Sequence, residues 1–223
     1  MHYSRRDIFN ATLGSALTAT IFGPNFAGSA AAQTLLSPDA ALQQLVDGNA
    51  RFTEGRMTSF NEDLGILKAK TVEKQEPFAA VLSCADSRVP VELIFDQSIG
   101  HLFVTRVAGN IATSELIASL EYGVAVLGTK AIMVLGHANC GAVKASIEAK
   151  AVPGQISALY PYIRPAVDQA GPDLEAAIKA NAKIQATPLR QSSPVLADQI
   201  KQSQLKIVAG YYDLASGKVT LLD

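Results

Sequence analysis

Three side chains in this 223-residue chain have the types and spacing to hold a metal ion: Cys84, His137 and Cys140. They are both of its cysteines and one of its three histidines. Two thiolates and one imidazole form a Cys₂His set, which suits Zn²⁺ and leaves the fourth tetrahedral position open. An open position marks a catalytic zinc, because a water placed there falls in pKa from about 15.7 towards about 7. Asp86-Ser87-Arg88 follows Cys84 closely. An Asp two residues from a ligand can bind the metal or face it. An Arg two residues further on can clamp that carboxylate through a bidentate pair. So clamped, Asp86 stays ionised and off the metal, and can accept a hydrogen bond from a metal-bound water or hydroxide. Each residue alone has a plainer reading. A lone cysteine after a strand is an ordinary small core residue. A lone histidine is a hydrogen-bonded loop residue. A surface Asp–Arg pair contributes about 0–1 kcal/mol and no chemistry. Two cysteines in an exported protein could also pair as a disulfide. The combination favours the metal, because the ligands fall at equivalent strand ends.

Those strand ends come from three short apolar runs: Phe78–Ser83, Leu102–Thr105 and Ala131–Leu135. Between the last two lies a helix-period segment over 112–127, with Leu116, Ile117, Leu120, Val124 and Leu127. Continuous apolar strands alternating with helices predict a parallel sheet covered on both faces. In such sheets sites lie at the carboxyl ends of strands. Cys84 directly follows the first run, His137 follows the third after Gly136, and Cys140 opens the next helix. Upstream, Ser37-Pro38 should cap an N-terminal helix whose buried face carries Leu42, Leu45 and Val46. A second helix is predicted over 63–74, and others over 141–150, 156–169, 173–190 and 194–202. Lys206–Tyr212 and Lys218–Leu222 read as a C-terminal hairpin turned at Ser216-Gly217. The fold class is therefore α/β: a mostly parallel central sheet flanked by helices, with a C-terminal β-hairpin and an N-terminal helical arm.

Composition narrows the function classes. Hydrophobic residues make up 48% and charged residues 17%, a globular balance, and the net charge is −1. No basic excess is available to neutralise phosphates, which argues against nucleic acid as a partner. Residues 1–32 have the plan of an export signal: Arg5-Arg6, an apolar stretch over 11–22, then small residues over 27–32. The paired arginines resemble a twin-arginine signal. Cleavage after Ala32 would leave a domain over 33–223, periplasmic or otherwise exported, with 17 basic against 19 acidic residues and a net charge of −2. After that removal no stable membrane span is expected.

The motifs Cys84-Ala-Asp-Ser-Arg-Val-Pro90 and Gly136-His-Ala-Asn-Cys-Gly-Ala142 resemble the paired zinc signatures of β-class carbonic anhydrases. Flanking segments resemble that family too: Ala41–Phe52, Leu102–Asn110, Glu121-Tyr122-Gly123 and the chain from Gly210 onward. The resemblance implies one Zn²⁺ per chain on Cys84, His137 and Cys140, with Asp86 and Arg88 as a catalytic dyad. It implies reversible hydration of carbon dioxide to bicarbonate and a proton, by hydroxide that the zinc supplies. It places Gln75, Phe103 and Tyr122 in a plant-type substrate pocket. It also implies a homodimer or homotetramer, and an inactive closed form in which Asp86 binds the zinc. Val81 stands where some bacterial members carry a Trp of a second, inhibitory bicarbonate site; Arg106 fits another of its positions. Ala85 stands where the family motif has Ser. Hydrolysis of carbon disulfide or carbonyl sulfide would use the same ligands. A zinc-binding or redox protein without catalysis would not need Asp86-Ser87-Arg88.

Overall fold

The first described helix begins where the sequence provides a cap. Ser37 has extended backbone and its hydroxyl accepts from Ala40 N–H at 3.2 Å, with Pro38 in the first turn. A computed structural model describes residues 34–59, 65, 69 and 71–222. The export-type segment 1–32 lies outside the described residues. Of the helix predicted over 63–74, residues 65 and 69 are helical and 71–74 are not.

Helix α1 (Pro38–Thr53) leads to β1 (Ala79–Ser83), the short α2 (Val91–Ile94) and β2 (Leu102–Arg106). Helix α3 (Ser114–Ala125), β3 (Ala131–His137) and α4 (Gly141–Glu148) follow. Then come α5 (Tyr160–Ala170), α6 (Leu174–Gln191), α7 (Pro194–Lys201), β4 (Lys206–Tyr212) and β5 (Val219–Leu222). The sheet order is β2-β1-β3-β4-β5. The first four strands are parallel and β5 closes antiparallel against β4.

Strand periodicity divides the core. Val81, Met133 and Leu135 point to one face, where Leu42 and Leu45 of α1 and Phe95 cover them. Leu82, Ile132 and Val134 point to the other, under Leu120 of α3, Leu189 of α6 and Leu196 of α7. Every residue of β1 and β3 is buried, as expected for parallel strands covered on both sides. Burying one such Leu or Ile side chain fully contributes about 1.5–3 kcal/mol. A third cluster, with Ile111, Val143, Ile163 and Ile178, surrounds Cys84 and Cys140 beyond the strand ends.

Several expectations shift. Val46 stays 39% exposed, because only Leu42 and Leu45 of its row meet the sheet. The helix expected from 156 starts as a 3-10 turn, Ile156–Leu159, and becomes α-helical at Tyr160. The hairpin turn spans Asp213 to Lys218, where Asp213 N–H donates to Lys218 O at 2.9 Å and the Asp213 carboxylate accepts from Ala215 and Ser216.

Two features tie α1 down. Gly48 lies so close to Phe95 that an added Cβ would sit 1.8 Å from the Phe95 carbonyl oxygen. Asp96 sits at φ +45°, a region that Asp tolerates better than most residues. Its fully buried carboxylate accepts from Arg51 Nε at 2.5 Å, Thr58 N at 2.9 Å, Thr58 Oγ1 at 3.1 Å and Ser59 N at 2.9 Å. Burial alone would raise this carboxyl's pKa, but those donors hold it well below the usual carboxylate range.

Candidate metal centre and active site

Parallel pairing of β1 with both β2 and β3 brings their carboxyl ends to one edge of the sheet. Cys84 is the residue after β1. His137 is not beyond β3, as its sequence position suggested, but its last residue. Pairing with β4 carries the strand through Gly136↔Tyr211 and His137↔Tyr212, and Ala138 N–H then donates to Tyr212 O at 2.9 Å. Asn139 turns the chain at φ +54°, and Cys140 becomes the N-cap residue of α4. The ligand atoms of Cys84, His137 and Cys140 all lie within 4.8 Å of one another.

The imidazole tautomer follows from its neighbour. His137 Nδ1 lies 2.9 Å from Ala138 O, which can only accept, so Nδ1 carries the proton. Nε2 is left with its lone pair. It is buried and has no hydrogen-bond partner. An orphaned buried acceptor facing two thiols is costly in a bare protein but is what a metal ligand requires. These residues therefore fit zinc in type, number and placement.

The two thiols share a proton unequally. Cys84 is pulled well below an ordinary thiol, chiefly by the hydrogen bond from Cys140 and against burial, with the Gly109 amide helping. Cys140 is pushed up by the same shared proton and by burial. Gly109 N–H donates to Cys84 Sγ at 3.3 Å. That glycine sits at φ +77°, where a side chain is strained, and a Cβ on it would lie 2.8 Å from Ile163 Cδ1, which would have to shift.

Asp86 is clamped as its spacing suggested. Oδ1 accepts from Arg88 N and Nε, both at 2.9 Å, and Oδ2 accepts from Arg88 Nη2 at 2.7 Å. These bonds hold the carboxyl below the usual carboxylate range. Arg88 Nη2 also reaches Asn139 O at 3.3 Å, which ties the two metal-bearing loops together. Arg106 donates to Cys84 O at 3.0 Å and Asp86 O at 2.6 Å, fixing the loop from behind. Asp86 Oδ2 lies 3.8 Å from His137 Nε2, beside the metal position.

The three pocket residues do not join this group within one chain. Phe103 pairs with Ala80, three register steps before the strand end, roughly 10 Å back along the sheet. Its ring stands 6.3 Å from that of Tyr122 on α3. Gln75 is exposed in the loop before β1, at the end opposite Cys84. Sequence reasoning missed Gly109 and the buried polar pair Asn181 and Gln185 behind it. The signal was present: both fall on the apolar stripe of α6, with Ile178, Ala182 and Leu189.

A parallel sheet bearing a thiol–imidazole cluster at its carboxyl edge, with a clamped carboxylate beside it, has the parts of a metal-assisted catalytic site. The carbonic anhydrase family profile matches residues 79–219. A carbonic anhydrase of Mycolicibacterium smegmatis is 34% identical over 83% of this chain and 93% of that protein. The solved β-carbonic anhydrase CcaA is 28% identical with a TM-score of 0.65, covering 82% of this chain and 95% of its own. Tetrameric β-carbonic anhydrases of Sordaria macrospora share the fold at 20% identity and a TM-score of 0.63, over 81% of this chain and 96% of theirs. The chain belongs to the carbonic anhydrase family, in its β class.

Proposed function

We propose that this chain interconverts carbon dioxide and bicarbonate at a zinc ion held by Cys84 Sγ, His137 Nε2 and Cys140 Sγ. The observation that carries this is the buried, unpartnered His137 Nε2 converging with both sulfurs beside Asp86. When bound, the zinc supplies Lewis acidity that brings a water towards ionisation near neutral pH. Asp86 orients that water: Oδ1 is taken up by Arg88, while Oδ2 keeps a lone pair to accept its hydrogen bond. Held ionised by Arg88, Asp86 is too weak a base to keep a proton, so it positions rather than stores. Arg106 and the Arg88–Asn139 contact keep the two loops in register.

The substrate pocket is completed by a second copy of the chain. Among the described residues strand β2 is an unpaired sheet edge, and beside it Tyr122 and Val126 of the α3 end are 48% and 49% exposed. Contact through this edge would bring Phe103, Tyr122 and Gln75 of one copy towards the metal group of the other, in a homodimer or a homotetramer. Residues 1–32 direct the chain to the periplasm by a twin-arginine route, which carries folded protein and so allows zinc loading before export.

The deciding experiment is stopped-flow hydration of carbon dioxide by residues 33–223, with zinc measured on the same sample. Fast hydration at about one zinc per chain is expected. Full zinc occupancy without hydration would overturn the proposal and turn attention to carbon disulfide or carbonyl sulfide.

A further inference from the structure

Behind the Gly109 turn lies a buried polar chain that the reaction itself does not use. Asn181, fully buried on α6, donates from Nδ2 to Gly109 O at 2.8 Å. Gln185, one helical turn on, donates from Nε2 to Asn181 Oδ1 at 3.2 Å and to Tyr162 O at 2.8 Å. Its Oε1 accepts from Ala112 N–H at 2.9 Å. The partners fix both amide orientations: Gly109 O can only accept and Ala112 N–H can only donate. Burying two amides beneath an apolar cluster costs stability unless every bond is made. Here Asn181 holds the three-residue turn Ala108–Asn110 directly, Gln185 holds Asn181 and the chain just past the turn at Ala112, and the turn's Gly109 N–H reaches a metal-ligating sulfur.

We propose that Asn181, backed by Gln185, is a positioning residue of the metal centre: it holds the Gly109 turn so that Gly109 N–H donates to Cys84 Sγ. This rests on the metal reading proposed above. The amide withdraws electron density from the thiolate and fixes the sulfur's direction. Asn181 thereby acts on the metal through two intervening groups without touching it. Partners bonded directly to a metal ligand, as Gly109 N–H is, typically change metal affinity by about 10–100-fold, and Asn181 acts through that bond.

The test compares the wild-type chain with Asn181→Leu, close to Asn in size and without a donor. Ser193→Ala serves as control; it removes side-chain bonds at the start of α7, to Glu121 Oε1 at 2.5 Å and from Leu196 N–H at 3.1 Å, outside this chain of contacts. Two quantities are read at fixed pH: the zinc dissociation constant by chelator competition, and the thiolate-to-metal charge-transfer band of the cobalt(II) form. Asn181→Leu is expected to weaken zinc binding about 10-fold or more. It should also move the band to lower energy as the sulfur regains donor strength. Ser193→Ala should leave both in place. A folded Asn181→Leu with wild-type affinity and band would overturn the inference, as would equal changes in Ser193→Ala. If Leu prevents folding, Asn181→Ala removes the donor without adding volume, and the same two readings decide. A wild-type chain that takes up neither metal would instead overturn the metal site itself.

Discussion

Removing the Asp96 carboxylate should be among the most damaging single changes outside the metal centre. Asp96→Ala deprives the Thr58 and Ser59 amides of a charged acceptor, each bond contributing about 1.5 kcal/mol. Arg51 loses its partner too, but its side chain is 31% exposed and re-solvates, so that part adds little. Alanine at φ +45° costs about 1 kcal/mol more. The total is about 4 kcal/mol. Asp96→Asn keeps the backbone preference and one acceptor but turns a donor towards Arg51, for about 2 kcal/mol. Arg51→Ala should cost about 1 kcal/mol. The pH dependence has a definite sign. The folded carboxyl titrates below its unfolded value of about 3.9, so its contribution is complete above that pH and is lost as pH falls further. Urea unfolding of the zinc-loaded chain gives all three differences. The gap between wild type and Asp96→Asn should be constant from about pH 7 to 5 and close only below about pH 3.9. An Asp96→Ala cost under about 1 kcal/mol, or an Arg51→Ala cost equal to it, would refute the view that Asp96 acts by holding the backbone at 58–59.

Three further outcomes are expected. Asp86→Asn should keep one zinc per chain yet lower turnover by about 100-fold, measured by stopped flow and metal analysis on one sample; wild-type turnover would remove Asp86 from the mechanism. Zinc-free protein should form a Cys84–Cys140 disulfide under mild oxidation faster than zinc-loaded protein, by thiol titration over time, and equal rates would show that metal does not shield the sulfurs. Gly48→Ala, which drives a methyl into the Phe95 carbonyl, should destabilise by about 1–3 kcal/mol in the same urea assay, whereas Ala at the exposed Val46 should cost under about 0.5 kcal/mol.

The ligands and the clamp were legible because their chemistry is carried by residue type and close spacing. Cys84, Asp86 and Arg88 lie within five residues, so one loop decides their geometry. The strands were legible because burial on both faces leaves uninterrupted apolar runs. What stayed hidden depends on contacts between distant segments. His137 joined β3 only because β4 supplies two more rungs of the ladder. Asp96 looked like any acidic residue after a short apolar run; its partners at 51, 58 and 59 become visible only when α1 packs against the α2 end. Asn181 and Gln185 could have been flagged as polar residues on a buried stripe, but nothing local shows that their bonds end at Gly109. Gln75, Phe103 and Tyr122 were named by resemblance, and one chain leaves them apart from the metal group.

Cys84 and Cys140 lie 56 residues apart in sequence and on opposite sides of a strand pairing, yet their sulfurs stand within 4.8 Å in the folded chain. An ion gripped by both, as proposed, would close that span like a clasp, a hold that scattered thiols of the unfolded chain match only weakly. Folding and metal supply then become one equilibrium. With free zinc at 100 times its dissociation constant, the native state gains about 2.7 kcal/mol by mass action, and in a metal-starved compartment it loses that margin. Under the proposed function, the concentration of an ion outside the protein would set what share of the chain is folded as well as how many copies are active.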